Sequence, residues 1–263
     1  YNKIINFFHL LFMKISIITP TYNSEQFLSD NLKSIKGQSY KIFEHIFIDN
    51  NSKDRTLDIL KKYKKSVNYN VVINSSKDKG IYDAFNKGLI YATGDLVTIV
   101  NSDDYFSNKY VLEKIYEKFK KKKIDFLYSN VKIVSRLKKN KVLRFWKSER
   151  VCNNDFFKVP HPSFFLKKKF IKKYNLKFNL SYKIASDLDF IIKCFDKSLH
   201  YEYINKSFIM QRSGGTSQTF INIFKANYEA YKICKKNKIK FIIRKLLFKL
   251  CQIQLIQLLN ISK

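Results

Sequence analysis

A mostly parallel α/β sheet flanked by helices is the fold class this sequence predicts, and three observations predict it. From residue 14 to residue 100, apolar β-branched runs alternate with stretches of helical periodicity, the rhythm of βαβ units. The chain has 263 residues with 45% hydrophobic and 16% aromatic side chains, enough apolar surface for the core of one large domain. Six glycines and three prolines leave little room for flexible linkers, and no internal repeat is evident.

The elements follow in order. KISIITPTY (14–22) is a buried-strand pattern running through Pro20 into a loop. Ser24 is placed to cap a helix bearing Phe27, Leu28, Leu32 and Ile35, with Gly37 as its stop. FEHIFID (43–49) reads as a second strand ending at Asp49, and Ser52 is placed to cap a helix carrying Leu57, Ile59 and Leu60. NVVIN (70–74) leads to the helix IYDAFNKGLIYA (81–92), ended by Gly94, and LVTIV (96–100) delivers NSDD (101–104). In parallel sheets ligands collect beyond the carboxyl ends of the strands. Thr19, Asp49, Asn74 and the pair Asp103/Asp104 all fall at such ends, so four loops are expected to converge on one crevice.

Further on come a Lys-rich helix (Val111 to Lys123) and the strand DFLYSNVKIV (125–134). A less regular region holds HPSFF (161–165), the helix start ASDLDF (185–190) and the Gly-Gly turn RSGGTS (212–217). The expected organisation is an extension over 1–12, a domain over 13–217 and a basic helical tail over 218–263. Residues 1–12 are apolar but too short to span a bilayer; they read as an extension ahead of Met13 or as a short anchor.

In the tail, Ile243, Leu246, Leu247, Leu250, Ile253 and Ile256 recur at helical spacing, while Arg244, Lys245 and Lys249 argue against a spanning helix. From Phe220 to Lys263, nine Lys and one Arg stand against one Glu. Two readings fit: a helix lying on an anionic membrane surface, and one packing its apolar stripe on its own domain.

The net charge of +30 points to phosphate-rich partners: nucleic acid, an anionic membrane or anionic substrates. A solvated surface in a chain crowded with Lys, Ile, Asn, Phe and Tyr explains it equally. Nucleic-acid recognition calls for basic and aromatic residues interleaved on one module. The lysines here are spread along the chain, so no specific nucleic-acid partner is expected. Cys152, Cys194, Cys234 and Cys251 show no metal-ligand spacing, so ordinary thiols in a reducing, cytoplasmic setting are the expectation.

Asp103 and Asp104 carry the sharpest chemical signal. Adjacent carboxylates repel unless something cationic sits between them. At a strand end they suit a divalent cation, whose remaining positions go to water and substrate phosphates. Taken alone, the pair also fits a solvated turn.

The motifs TPTYN (19–23), DNNSKD (49–54), DKGIYDAFNKG (78–88), ATGD (92–95) and NSDD (101–104) occur in order with the right elements between them. Together they resemble the bacterial family 2 glycosyltransferases of the GT-A fold, in the branch that builds capsule, lipopolysaccharide and exopolysaccharide. The resemblance runs from Lys14 to about Ser217. It implies a Rossmann-like nucleotide-diphospho-sugar transferase fold and an inverting, metal-dependent transfer of one sugar. The donor would be a nucleotide diphosphate sugar, most commonly a UDP-sugar, and the acceptor a hydroxyl of a glycan or lipid-linked glycan.

By that resemblance Thr19, Pro20, Tyr22, Asp49 and Ser52 line the nucleotide pocket, with Asp49 accepting from the base. Asp78, Asp83 and Asn86 border the nucleotide and sugar; ordinary loop and helix-start roles are the alternative. Ser102 and Asp103 contact the donor, and Asp104 holds Mg²⁺ or Mn²⁺. NSDD has Asn101 where the family's DXD-type motif often has Asp, so the metal expectation rests chiefly on Asp104.

A transfer to a hydroxyl also needs a base. Ser186 reads as a helix cap, which puts Asp189 at the acidic position of a capping box; the resemblance implies a catalytic aspartate at the first Asp of ASDLDF, so Asp187 is the candidate catalytic base. His161, Asp189, Gly214 and Gly215 are candidates for acceptor or phosphate contact. Each has a plain alternative: a structural His, a cap, and a tight turn needing positive φ. Nucleotidyl transfer to sugar phosphates is the competing enzyme class. It wants a Gly-rich loop after the first strand, and TPTYNSEQ contains no glycine.

Overall fold

The computed structural model describes residues 12–139, 141–214 and 220–239. Nearly all of the expected N-terminal extension, Gly215 and the apolar stretch 241–261 of the tail lie outside the described residues.

Strands β1 (Ile15–Thr21), β2 (Phe43–Asp49), β3 (Val71–Ser75) and β4 (Leu96–Ile99) pair in parallel in the order β3-β2-β1-β4. Helices α1 (Leu28–Lys36), α2 (Thr56–Lys65) and α3 (Ile81–Tyr91) cross between them. Every residue of β1 and β2 is buried, which is why both read as continuous rather than alternating apolar runs. Their side chains still alternate by face. Ile18, Ile46, Ile48 and Val97 join the core under α3, while Ile15, Ile17 and Leu96 join the core on the other side.

The rest of the sheet is mixed. It is built from β5 (Tyr105–Phe106), β6 (Phe126–Val134), β7 (Val142–Trp146), β8 (Phe165–Lys167) and β9 (Tyr201–Arg212). β8 runs antiparallel between β4 and β6, β9 lies parallel to β6, β5 is antiparallel to β9, and β7 folds back on β6. The parallel expectation therefore describes the first four strands, and antiparallel pairing dominates beyond them. The remaining helices are α4 (Val111–Lys121), α5 (Lys168–Lys173), α6 (Ser186–Lys197) and α7 (Phe220–Lys236).

Helix starts correct three expectations. Ser24, Ser52 and Ser186 do not cap helices with their side chains; Phe27, Arg55 and Ala185 hold the cap positions. At α2 it is Asp54 Oδ1 that accepts the Thr56 N–H, at 3.0 Å. Part of the segment beyond residue 217 packs on the domain, one of the two readings of the tail. Ala230, Ile233 and Cys234 of α7 are buried, and Ala230 and Ile233 join the same core as Phe190 and Ile191 of α6, so this part of the tail is built into the domain.

Two close approaches fix the sheet–helix geometry. A Cβ at Gly88 would sit 2.3 Å from Ile18 Cγ2, so α3 lies against β1 only because no side chain intervenes. Beneath β2, Glu44 is fully buried and accepts from Lys14 Nζ (2.7 Å), Ser16 Oγ (2.7 Å) and Thr93 N (2.6 Å). Burial pushes its carboxyl up, but these donors outweigh burial and hold it at about 2.

Gly88→Ala is expected to cost about 1–3 kcal/mol by overpacking, seen as a lower urea midpoint at unchanged slope. Because Glu44 is depressed in the folded state, its stabilisation is full above the ordinary Glu value of about 4.3 and is lost as pH falls toward 2. Urea midpoints measured against pH should therefore fall more steeply over that window for the native chain than for Glu44→Gln.

Candidate active site

β4 hands over to the loop Asn101–Asp104, which closes on itself through the Asp104 N–H donating to the Asn101 carbonyl at 3.0 Å. Three buried groups pin this loop. Asn31 of α1 donates from Nδ2 to the carbonyls of Asn101 (2.9 Å) and Asp104 (3.0 Å). Arg212, at the end of β9, donates its backbone N–H to Asp104 Oδ1 (3.0 Å) and its Nη1 to the Asp103 carbonyl (2.8 Å). The same guanidinium pairs with Asp30 at 2.5 Å and donates to the Arg136 carbonyl at 3.2 Å. Its flat face lies 4.8 Å from the centre of the Phe27 ring.

The two carboxylates so held differ. Asp104 is buried, and its Oδ2 accepts from Asn101 Nδ2 at 3.2 Å. Burial and the charge of Asp103 push its carboxyl well above the usual range. Asp103 is partly open and pairs with Arg136 at 3.6 Å; burial raises it more than that arginine lowers it. Asp30 goes the other way: hydrogen bonds from Arg212 and Lys139 overcome burial and lower it. Two raised carboxyls side by side make a place where a cation would be strongly favoured. The donor set suits a hard divalent ion, because Asn101 Oδ1 is also buried there without a hydrogen-bond partner among the described residues.

A second cluster forms where α6 begins. Asp187 Oδ1 accepts from the Leu188 N–H (2.9 Å) and lies 3.2 Å from the Tyr82 hydroxyl, while its Oδ2 is 3.1 Å from His161 Nδ1. Tyr82 also donates to the Ile184 carbonyl at 2.5 Å, and burial together with Asp187 pushes its phenol well up. Glu229 of α7 accepts the backbone N–H groups of Lys183 (2.8 Å), Ile184 (2.9 Å) and Ala185 (2.9 Å).

A cavity of about 880 Å³ joins the two clusters. Of the residues singled out in the sequence, it is lined by Pro20 near the end of β1, Tyr22 just after it, Asp78 after β3, and Ser102, Asp103 and Asp104 after β4. The second half of the chain contributes His161 and Asp187. The loops after β1, β2, β3 and β4 meet at this cavity through Tyr22, Asn50, Asp78 and Asp103, while Thr19, Asp49 and Asn74 of the expected set do not line it.

Other candidates do not line the cavity and have structural partners. Thr19 turns its hydroxyl onto His45 Nε2 at 2.9 Å; burial holds that imidazole at about 3, hence neutral. Asp49 is fully buried and accepts from Thr21 Oγ1, Ser52 N, Ser52 Oγ and Ser75 Oγ, so its carboxylate is committed to the strand-end loop rather than open to a base. Ser52 is spent on Asp49. Asp83 accepts from the Lys79 N–H (3.0 Å) and pairs with Lys87, while Asn86 clamps both backbone groups of Phe178 at 2.9 Å. Asp189 is buried against Lys193 at 2.6 Å, which replaces the capping-box role expected for it. Gly214 has φ +86°, as a tight turn requires.

Asn31, Tyr82, Arg212 and Glu229 escaped the sequence reading. Arg212 stands directly before the Gly-Gly turn, and Glu229 is the lone acid of the basic tail; either exception was a usable signal.

Comparison with known proteins agrees with this geometry. The model of glycosyl transferase family 2 matches residues 16–186. The chain belongs to that family. It is therefore a glycosyltransferase, and Asp187 stands immediately after the matched stretch. An uncharacterised glycosyltransferase of Methanocaldococcus jannaschii is 26% identical over 239 residues, covering 86% of this chain and 81% of that protein. TarS of Staphylococcus aureus, a poly(ribitol-phosphate) beta-N-acetylglucosaminyltransferase, is 36% identical over 99 residues, 37% of this chain and 17% of TarS. A TarS crystal structure in complex with UDP-GlcNAc superposes with a TM-score of 0.69 at 23% identity, covering 92% of this chain and 72% of that one. In its complex with UDP the chain spans 65% of the TarS fragment. A mannosyltransferase of Pyrobaculum calidifontis with GDP-Man and Mn²⁺ gives 0.63 at 14% identity, covering 92% of this chain and 69% of that one. These likenesses establish the GT-A fold.

Arg212→Met leaves Asp30 and the loop carbonyls without their shared cation. It is expected to destabilise the fold by roughly 3 kcal/mol in chemical denaturation, with Arg212→Lys recovering only part.

Proposed function

We propose that this glycosyltransferase moves a single sugar, with inversion, from a nucleotide diphosphate sugar to a hydroxyl of a glycan or lipid-linked glycan. The observation that carries the reading is one cavity holding the Asp103/Asp104 pair after β4 and the His161–Asp187–Tyr82 cluster at α6. Transfer needs those two chemistries together: stabilisation of a departing diphosphate and removal of a proton from the incoming hydroxyl.

Asp104, with Asp103 and Asn101 Oδ1, would hold Mg²⁺ or Mn²⁺, whose charge supplies neutralisation of the leaving diphosphate. Exposed Tyr22 at the cavity offers the base a flat face. Asp187 takes the acceptor's proton as the acceptor oxygen bonds to the anomeric carbon and the bond to phosphate breaks. One displacement inverts the configuration, and no covalent enzyme intermediate is required. His161 and Tyr82 fix the direction in which the carboxylate points. A UDP-sugar is the favoured donor, supported by the likeness to TarS in complex with UDP-GlcNAc.

The name of TarS supports a role in surface polysaccharide synthesis. No helix among the described residues is long and apolar enough to cross a membrane. α7 exposes Ile221 and Tyr228 beside Lys225, Lys232 and Lys235, which supports peripheral attachment to an anionic membrane face on the cytoplasmic side.

NMR of the product should show an anomeric centre inverted relative to the donor. Asp187→Asn should lower turnover by roughly 10²–10⁴-fold without loss of donor binding. A product of retained configuration, or an Asp187→Asn variant of full activity, contradicts the reading.

A further inference from the structure

We propose that Glu229 is the positioning residue for the base: it acts on the acceptor-activating carboxylate through the backbone that presents it. This rests on the reading of Asp187 given above.

Glu229 Oε1 accepts from the Lys183 N–H at 2.8 Å, and its Oε2 accepts from both Ile184 and Ala185 at 2.9 Å. Those three N–H groups belong to the stretch that turns into α6, two residues before Asp187. Ala185 occupies the cap position, and no side chain of its own caps the helix. Ser186, the expected cap, instead has its Oγ buried without a hydrogen-bond partner among the described residues. A carboxylate 44 residues further along the chain, on another helix, instead holds the three N–H groups of the segment that leads into the helix.

The opposite side of the same peptide is held as well. Tyr82 donates to the Ile184 carbonyl and lies beside Asp187 Oδ1. The Ile184–Ala185 peptide is therefore gripped at its N–H, that of Ala185, by Glu229 and at its C=O, that of Ile184, by Tyr82. This sets where α6 starts, and so where Asp187 points. Charge-assisted hydrogen bonds of this kind are stronger than neutral ones, and three on one carboxylate leave it little freedom.

Glu229 also borders the cavity, but all three of its donors are backbone N–H groups of the segment leading into α6. Asp187 is the carboxylate facing a titratable partner. The arrangement further ties the base to α7, which carries Asn222 and Lys225 into the same cavity.

The test uses the full chain and a defined probe: release of UDP from UDP-GlcNAc, or of GDP from GDP-mannose, in Mn²⁺ with water as acceptor. Water attacks the anomeric carbon, its proton goes to the base, and the nucleoside diphosphate leaves. Glu229→Ala and Glu229→Gln should both lower kcat by roughly 10²-fold with donor KM held within about twofold. Gln keeps the volume but turns an N–H₂ toward N–H donors, so it should fail to rescue. Hydrogen exchange at the amides of 183–185 should speed up in both variants, a readout that needs no turnover. In the Asp187→Asn background, Glu229→Gln should cost nothing further.

Restoration of activity by Gln, full additivity with Asp187→Asn, or unchanged exchange at 183–185 would each overturn the proposal. Should Asp187→Asn itself prove fully active, the assignment of the base falls, and the proposal with it. If Asp187→Asn is inactive while Glu229→Ala is normal, the base stands and only the positioning role is lost.

Discussion

Arg212 is the interaction on which the rest of this site depends. A chain of +30 net charge has no shortage of cations, yet one buried arginine, through its backbone N–H and its guanidinium, holds the two acidic residues of the NSDD loop in place. It does so largely through the backbone. The Asp103 side chain is left to Arg136, and the Asp104 side chain meets the Arg212 peptide N–H rather than its charge. The guanidinium is spent instead on Asp30 and on carbonyls. The acidic pair is therefore positioned with only the Arg136 ion pair on Asp103 to offset its charge directly, and burial raises both carboxyls. A site arranged this way is fixed in shape and short of positive charge, which is what a divalent cation with a diphosphate would supply.

The same logic recurs at α6, where the groups that present Asp187 work on its peptide chain as much as on its carboxylate. Both clusters draw on distant sequence: Asn31 and Arg212 at one, Tyr82, His161 and Glu229 at the other. The first four strands bring one set of loops together, and the mixed half of the sheet brings the second set against it. β8 makes this possible by running antiparallel between β4 and β6, joining the two halves of the sheet edge to edge.

The part of the fold that was legible in the sequence is the part governed by local pattern. β1, β2 and α3 lie within a residue or two of their expected bounds because buried parallel strands are continuous apolar runs and amphipathic helices have a fixed period. β7, β8 and β9 were not legible. β8 is three residues long, and β9 mixes buried with exposed positions around an irregular register with β6. Serines were read as caps by type, but Asp54 caps α2 from outside the cap position and Glu229 holds the segment entering α6, which only tertiary structure reveals. The acidic candidates divide for the same reason. Asp103, Asp104 and Asp187 reach the cavity, whereas Asp49 and Asp189 are engaged by hydroxyls and by Lys193, contacts that arise only in the folded chain.

The central claim is that the NSDD loop is a prepared half-site completed by a metal-bound nucleotide diphosphate. Its most direct measurement is the melting temperature of the full chain with UDP and, separately, GDP, each with and without Mn²⁺, repeated on Asp104→Ala. A ligand bound only by the folded state raises that temperature by mass action. The account predicts a shift with one diphosphate that requires Mn²⁺ and disappears in Asp104→Ala. A shift of equal size without metal, or one that survives in Asp104→Ala, would contradict it.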